Sequence, residues 1–180
     1  MNKKIYFNKV QFFDLKKYKD NRGFFSETFN KRDLYNILNI KFKCVQTSLA
    51  FSKKDVFRGF HTQKFKPIEQ LITVIKGRVV YYFFDIRKKS STFGKFNKVI
   101  LSEKNNKALY LPKGFAGGYY CHSKENLILY HHNEFFYKKF DTGFNLLSDS
   151  IGLKIPNNII RSRKDKNLKS FKDFKLLVLK

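Results

Sequence analysis

Tryptophan is absent from this 180-residue chain, methionine occurs once, proline three times and cysteine twice. Two thiols cannot build a disulfide framework, and neither Cys44 nor Cys121 has the companion ligands that a zinc or redox site requires. Both lie in strand-like apolar stretches and read as buried, reduced thiols. No run of eighteen apolar residues occurs, which leaves no transmembrane helix. The stretch Met1–Val10 alternates charged and apolar residues and lacks the apolar block of a secretory signal. A soluble, cytoplasmic protein with no membrane partner is therefore expected.

Acidic residues are also scarce, 14 Asp and Glu against 38 Lys and Arg, giving a formal charge of +24. Such an excess invites a nucleic-acid reading. Two features count against it. The bases are scattered along the whole chain with no basic tail or isolated basic helix. Lysine also far outnumbers arginine, the better reader of bases and phosphates. No nucleic-acid partner is expected, although a positive field would help to collect an anionic substrate.

What the chain does contain is a succession of short apolar or alternating runs punctuated by turn residues, the pattern of an all-β sandwich or barrel. Strands are predicted at Ile5–Phe13, Phe24–Phe29, Phe42–Leu49, Val56–Gln63, Gln70–Lys76, Arg78–Ile86, Lys95–Leu101, Lys107–Leu111, Gly118–His122 and Asn126–His132. Gly77 reads as a tight hairpin turn and Pro112-Lys113-Gly114 as another turn. Leu34, Ile37 and Leu38 suit a short helix over Lys31–Leu38 with Asn30 as its N-cap. Leu168–Leu179 reads as a closing strand or helix. With no repeat or linker, residues 1–180 are expected to form one domain.

Four segments are more polar than a β core requires. In the first, Phe25, Glu27 and Phe29 share one strand face, and a salt-bridged edge strand would read the same way. In the second, Arg58-Gly59-Phe60-His61-Thr62-Gln63, alternation places His61 with Gln63; a histidine there suits a structural hydrogen bond or a base. The third ends an apolar strand in Tyr130-His131-His132, whose histidines point to opposite faces and cannot grip one metal together. No His-x-His pair accompanies His61 either, so no metal is predicted. The fourth, Ser162-Arg163-Lys164-Asp165, reads from composition alone as a solvated charged loop.

Taken in order, these segments and their neighbours resemble the dTDP-4-dehydrorhamnose 3,5-epimerase family over about Phe12 to Asp165. The matching motifs are Arg22-Gly23-Phe24-Phe25-x-Glu27-x-Phe29, Val45-Gln46, Arg58-Gly59-x-His61-x-Gln63 and Asp85-Ile86-Arg87-x-x-Ser90-Ser91-Thr92-Phe93-Gly94-Lys95. Leu101-Ser102, Leu111-Pro112-x-Gly114-Phe115-Ala116, Leu129-Tyr130 and Ser162-x-Lys164-Asp165 complete them. The resemblance implies a cupin-like jelly roll with short flanking helices, a homodimer, no cofactor, a sugar-nucleotide substrate and a place in deoxysugar and cell-surface polysaccharide biosynthesis. It implies His61 as base, Asp165 as the carboxylate orienting it, and Tyr130 as the acid on the other face of the sugar. Arg22, Phe25 and Glu27 would reach the nucleotide across the dimer interface. Gln46, Arg58, Asp141 and Lys164 match further substrate contacts, and Phe136 falls where the family stacks a tyrosine on thymine.

The chain departs from the family pattern at Gln70 (usually a lysine near the sugar carbonyl), Gly117 (usually histidine), Ser48 (usually asparagine) and Phe136 (usually tyrosine). A 4-keto group acidifies C3 and C5, so a histidine base and a separate acid suffice for inversion through an enolate. The departures predict a related 4-keto-6-deoxyhexose nucleotide with C3, C5 or both inverted. A 3,4-ketoisomerase of the same substrate class, or a non-catalytic sugar-nucleotide-binding cupin, would share most of these residues.

Overall fold

Side chains that alternate between two apolar environments drive the chain into two facing antiparallel sheets in the computed structural model, which describes residues 2–145, 147, 152–153 and 155–179. The first sheet runs in the order β1 (Lys3–Tyr6), β2 (Val10–Asp14), β10 (Lys107–Leu111), β7 (Gln70–Lys76), β12 (Glu125–His132) and β5 (Gln46–Lys53). The second runs β13 (Asp141–Gly143), β6 (Phe57–Gln63), β11 (Phe115–Cys121), β8 (Arg78–Asp85) and β9 (Phe96–Ser102). β3 (Lys17–Asp20) and β4 (Gly23–Ser26) form a separate hairpin. Short helices flank the sheets: α1 (Lys31–Asn36), α2 (Arg163–Lys166) and α3 (Phe171–Leu179). The architecture is all-β, a cupin-like jelly roll.

β8 shows why the sheets pack as they do. Val79, Tyr81 and Phe83 point between the sheets, where they meet Ile72, Val74, Leu109, Leu111 and Ile128. The alternate residues Tyr82 and Phe84 point outward and are covered by Phe144, Phe171 and Phe174. A strand buried on both faces needs apolar residues at every position. On the outer side of the other sheet, Leu34 and Leu38 pack with Ile40 and Phe42 over Phe13, Leu71 and Ala108. Asn30 caps α1 as expected, its Oδ1 accepting from the Asp33 amide at 3.2 Å.

Several boundaries differ from the sequence reading. Ile5–Phe13 is two strands, broken where Phe7 and Asn8 adopt positive φ. Phe42–Leu49 becomes β5 from Gln46 to Lys53, because Phe42 is drawn down against α1 as a core residue. Gly77 is a corner and not a hairpin: β7 and β8 belong to different sheets, and at φ +85° the chain turns from one to the other. The closing segment is the helix α3. Of the two thiols, Cys121 is buried in β11, whereas Cys44 is only half-buried and precedes β5.

Candidate active site

The site begins at an irregularity in β6. His61 pairs with Gly117 of β11 and Arg58 with Tyr119, so three β6 steps oppose two β11 steps and the strand bulges. Phe57 and Phe60 therefore both enter the outer core, while Arg58 and His61 both line the cavity between the sheets. Simple alternation would have put Arg58 and His61 on opposite faces. Glycine makes the bulge feasible: Gly59 sits at φ +126°, where a Cβ would lie 2.6 Å from the Gly118 Cα. Gln63 shares the strand but uses its amide on the Lys66 and Phe135 carbonyls (2.7 and 3.3 Å) and the Tyr137 amide (2.6 Å).

Beside β6 runs the segment leading into α2, tied to it by a parallel bridge between Val56 and Ile160. Ser162 caps α2 by accepting from the Asp165 amide at 3.0 Å, which turns the Asp165 carboxylate onto His61. His61 Nε2 lies 2.7 Å from Asp165 Oδ1, and the Gly59 amide donates to Oδ2 at 3.4 Å. Burial opposes ionisation of Asp165, but the bonds from His61, Gly59 and Ser162 more than offset it and hold the carboxyl below its ordinary value. The ring is anchored through Nε2, so Nδ1 is the nitrogen left for a reactant.

Tyr130 stands on the opposite sheet, on β12, in the wall of a cavity of about 700 Å³ that also exposes His61, Asp165, Gln46, Ser48 and Gln70. That volume is in the range of small-molecule sites. Burial, reinforced by Tyr119 and Tyr81, raises the Tyr130 phenol well above its ordinary value and keeps it protonated at neutral pH. Arg58 donates to Ser52 Oγ (3.0 Å) and the Phe51 carbonyl (3.1 Å), and Ser52 Oγ lies 3.1 Å from Tyr119 Oη. Gln46 joins β5 to the rim, donating to Ser48 Oγ at 3.1 Å and accepting from the Phe136 amide at 3.0 Å. Phe136 is half exposed there, and Lys164 is ion-paired with Asp141 close by.

Four candidate residues stay outside this cavity. Arg22 is exposed on the β3–β4 hairpin and paired with Asp20. Phe25 is exposed as well, against Tyr18. β4 ends at Ser26, short of the predicted Phe29, so Glu27 leaves the strand and accepts from Asn30 Nδ2 at 3.2 Å. Asp141 reaches the site through its ion pair with Lys164. The Asp85 motif is a fold element: the buried carboxylate accepts from Arg87, Ser90 and Thr92. Burial pushes that carboxyl upward, yet these bonds hold it at about 2.

Sequence reasoning missed Tyr81, Tyr119, Ser52 and His132. Two had a signal: glycine at 117 leaves room that the Tyr81 hydroxyl takes, since a Cβ there would collide with Tyr81 Oη, and His132 stands two residues after Tyr130 in a segment too polar for a core. Among the described residues, no group of three His, Cys, Asp or Glu side chains is placed to hold a metal ion.

A jelly roll whose inter-sheet cavity holds a carboxylate-bound histidine on one wall and a protonated tyrosine on the other is a cupin-like isomerase. The description dTDP-4-dehydrorhamnose 3,5-epimerase belongs to the family model that matches residues 4–173, and the chain belongs to that family. The dTDP-4-dehydrorhamnose 3,5-epimerase of Shigella flexneri is 37% identical over 167 residues, 91% of this chain and 92% of that one. The crystal structure of the Bacillus anthracis dTDP-4-dehydrorhamnose 3,5-epimerase, with TDP and PPi bound, has a TM-score of 0.90 at 30% identity and covers 93% of this chain and 97% of its own. A Legionella pneumophila dTDP-6-deoxy-D-glucose-3,5-epimerase in complex with dTDP-4-keto-L-rhamnose also has a TM-score of 0.90, at 29% identity, covering 95% and 92%.

Proposed function

We propose that this chain inverts C3, C5 or both of a dTDP-linked 4-keto-6-deoxyhexose, with His61 as base, Asp165 as its orienting carboxylate and Tyr130 as acid. The observation that carries the reading is the 2.7 Å His61–Asp165 pair facing Tyr130 across one cavity. His61 Nδ1 takes the proton beside the ketone, and the C–H electron pair flows toward oxygen to give an enolate. Asp165 keeps the tautomer correct and stabilises the imidazolium. Tyr130 then returns a proton to the carbon from the opposite wall, which inverts it. His61 and Tyr130 recover their starting states by exchange with water, so the reaction is a net isomerisation needing no cofactor.

The nucleotide would lie at the rim, with Phe136 stacked on the base and Gln46, Ser48, Arg58, Gln70 and Lys164 around the sugar and phosphates. The exposed Arg22 and Phe25, with Glu27 at the end of their hairpin, suit a homodimer in which this hairpin reaches the neighbouring site. A single domain over 1–180 acting in the cytoplasm fits the same reading; among the described residues no helix is long and apolar enough to cross a membrane. The experiment is incubation with dTDP-4-keto-6-deoxyglucose in deuterium oxide, followed by NMR. Deuterium at C3 or C5 with inversion is expected; no exchange at either carbon overturns the proposal, and movement of the carbonyl to C3 identifies a ketoisomerase instead.

A further inference from the structure

His132 is a second buried ring on the Tyr130 wall, and the proton transfers above give it no task. It follows Tyr130 by two residues on β12, so both project from the same face. Their rings lie nearly parallel, 14° apart with centroids at 5.8 Å. His132 lines the cavity, is only 8% exposed, and its Nδ1 is buried with no partner. A histidine held for structural reasons normally has its ring nitrogens bonded. What separates it from its neighbour is the cavity: His131 faces the other way, lies against Phe29 and has Nδ1 3.1 Å from Thr47 Oγ1, with its Nε2 buried and likewise unpartnered.

The protonation state of His132 is also unusual. Burial first, then the charge of His131, depresses the ring to about 4. It is therefore neutral at physiological pH and carries one N–H. Nδ1 is enclosed without an acceptor and the ring lines the cavity, so the proton belongs on Nε2.

Removal of a proton next to a ketone places negative charge on the ketone oxygen, and a donor aimed at that oxygen is a large term in such reactions. Arg58, Lys164 and Arg161, which also line the cavity, already have partners: Arg58 in Ser52 and Phe51, Lys164 in Asp141, and Arg161 in Asn145. Gln70 is the register partner of His132 across the β7–β12 ladder, so the two side chains serve the same end of the cavity. A neutral imidazole N–H is an effective donor to a developing enolate, because it donates without being consumed as an acid.

We propose that His132 is a catalytic residue whose Nε2–H, together with the Gln70 amide, hydrogen-bonds the sugar's ketone oxygen and holds the enolate while His61 and Tyr130 exchange the carbon-bound proton. The inference rests on the epimerase reading. His132 keeps its proton throughout: the proton leaving carbon goes to His61, the one returning comes from Tyr130, and the oxygen gains and then releases only electron density.

The test compares His132→Phe and His132→Gln in the full chain, using deuterium wash-in to dTDP-4-keto-6-deoxyglucose and dTDP binding. His132→Phe keeps the ring stacked and removes the donor, so wash-in should fall about a hundredfold with dTDP affinity unchanged. His132→Gln restores a neutral donor and should recover at least about tenfold of that loss. Wash-in by His132→Phe within about threefold of the parent overturns the proposal. So does an equal loss in both variants. If His132→Phe also loses dTDP binding, nitrogen-15 NMR of the parent decides: a neutral ring protonated at Nε2 supports the donor role, and a ring protonated at Nδ1 overturns it. Absence of wash-in by the parent is a separate outcome that removes the epimerase reading itself.

Discussion

Asp165→Asn isolates what the buried carboxylate contributes. His61 Nε2 lies 2.7 Å from the carboxylate, and an asparagine oxygen can still accept from it. The difference arises when His61 becomes an imidazolium. At a charge separation of about 4 Å and an effective dielectric near 20, the lost attraction is about 4 kcal/mol. That corresponds to about a thousandfold in rate. If the new amide instead turns its NH2 toward Nε2, the His61 proton is forced to Nδ1 and the base is blocked, which deepens the loss. The turnover number should therefore fall about a thousandfold with KM little changed. Stability behaves differently. The Asp165 carboxyl is held below its ordinary value in the folded chain. Its contribution is thus complete above the unfolded value of about 4 and disappears as pH falls through the lower folded value. Asp165→Asn should show a flatter acid limb of stability with the fold retained at neutral pH. Deuterium wash-in by NMR measures the rate and urea denaturation from pH 7 to 3 measures the limb. A variant with wash-in within about tenfold of the parent would refute His61–Asp165 as the base.

Tyr130→Phe should uncouple exchange from inversion: His61 still removes and returns the proton on its own face, so wash-in persists while inverted product falls about a hundredfold, as NMR of the product will show. Asp85→Asn should cost about 3–5 kcal/mol in urea denaturation, because Arg87 loses a buried partner. Asp85 is held at about 2 against an ordinary 3.8. Its roughly 2 kcal/mol of pH-linked stability is therefore present above about pH 4 and fades as pH falls toward 2, and loss of the acid transition in the variant checks this. Gly117→Ala should destabilise by about 1–3 kcal/mol through its collision with Tyr81. Adding Tyr81→Phe should recover part of it in a thermal-unfolding double-mutant cycle, since the next atoms, Tyr81 Cζ and Leu111 Cδ2, lie 3.1 Å away; strict additivity would contradict the reasoning.

The sheet content was legible because strand periodicity is local: Gln70–Lys76 and Lys107–Leu111 appear with the predicted ends. What local pattern could not show was which sheet each strand joins. Gly77 has the same residue signature whether it closes a hairpin or turns a corner, and only the packing of Val79 and Tyr81 against Ile72 and Val74 chooses between them. In the site, the motif order drew His61, Asp165 and Tyr130 together although they lie far apart in sequence. Alternation alone would have misplaced Arg58 relative to His61, because the bulge at Gly59 depends on a contact with Gly118 from another strand. Tyr81 was hidden for a similar reason, since an aromatic inside an apolar strand looks like core until its facing residues are known. His132, in contrast, stands in a segment too polar for a core, and the pattern there raises it only as a metal ligand.

Tyr81 and His132 bear on how the proposed reaction would confine proton traffic to His61. Tyr81, Tyr119 and Tyr130 surround the cavity with phenols that burial raises above their ordinary value, so none ionises near neutral pH. His132 is pushed the opposite way and stays neutral over the same range. Asp165 stays ionised. Burial thereby holds the tyrosines protonated and His132 neutral in the resting site, while hydrogen bonds keep Asp165 ionised against it. Tyr130 leaves its state only when it gives its proton to carbon in the proposed reaction. The same burial that keeps Tyr130 a donor keeps His132 from becoming a competing acid. Apart from Tyr130, the polar groups of the wall can then orient and donate hydrogen bonds without titrating, which in the proposed reaction leaves His61 to accept the carbon-bound proton. The packing of a β sandwich, dense in phenylalanine and tyrosine, is in this way part of the chemistry as well as part of the fold.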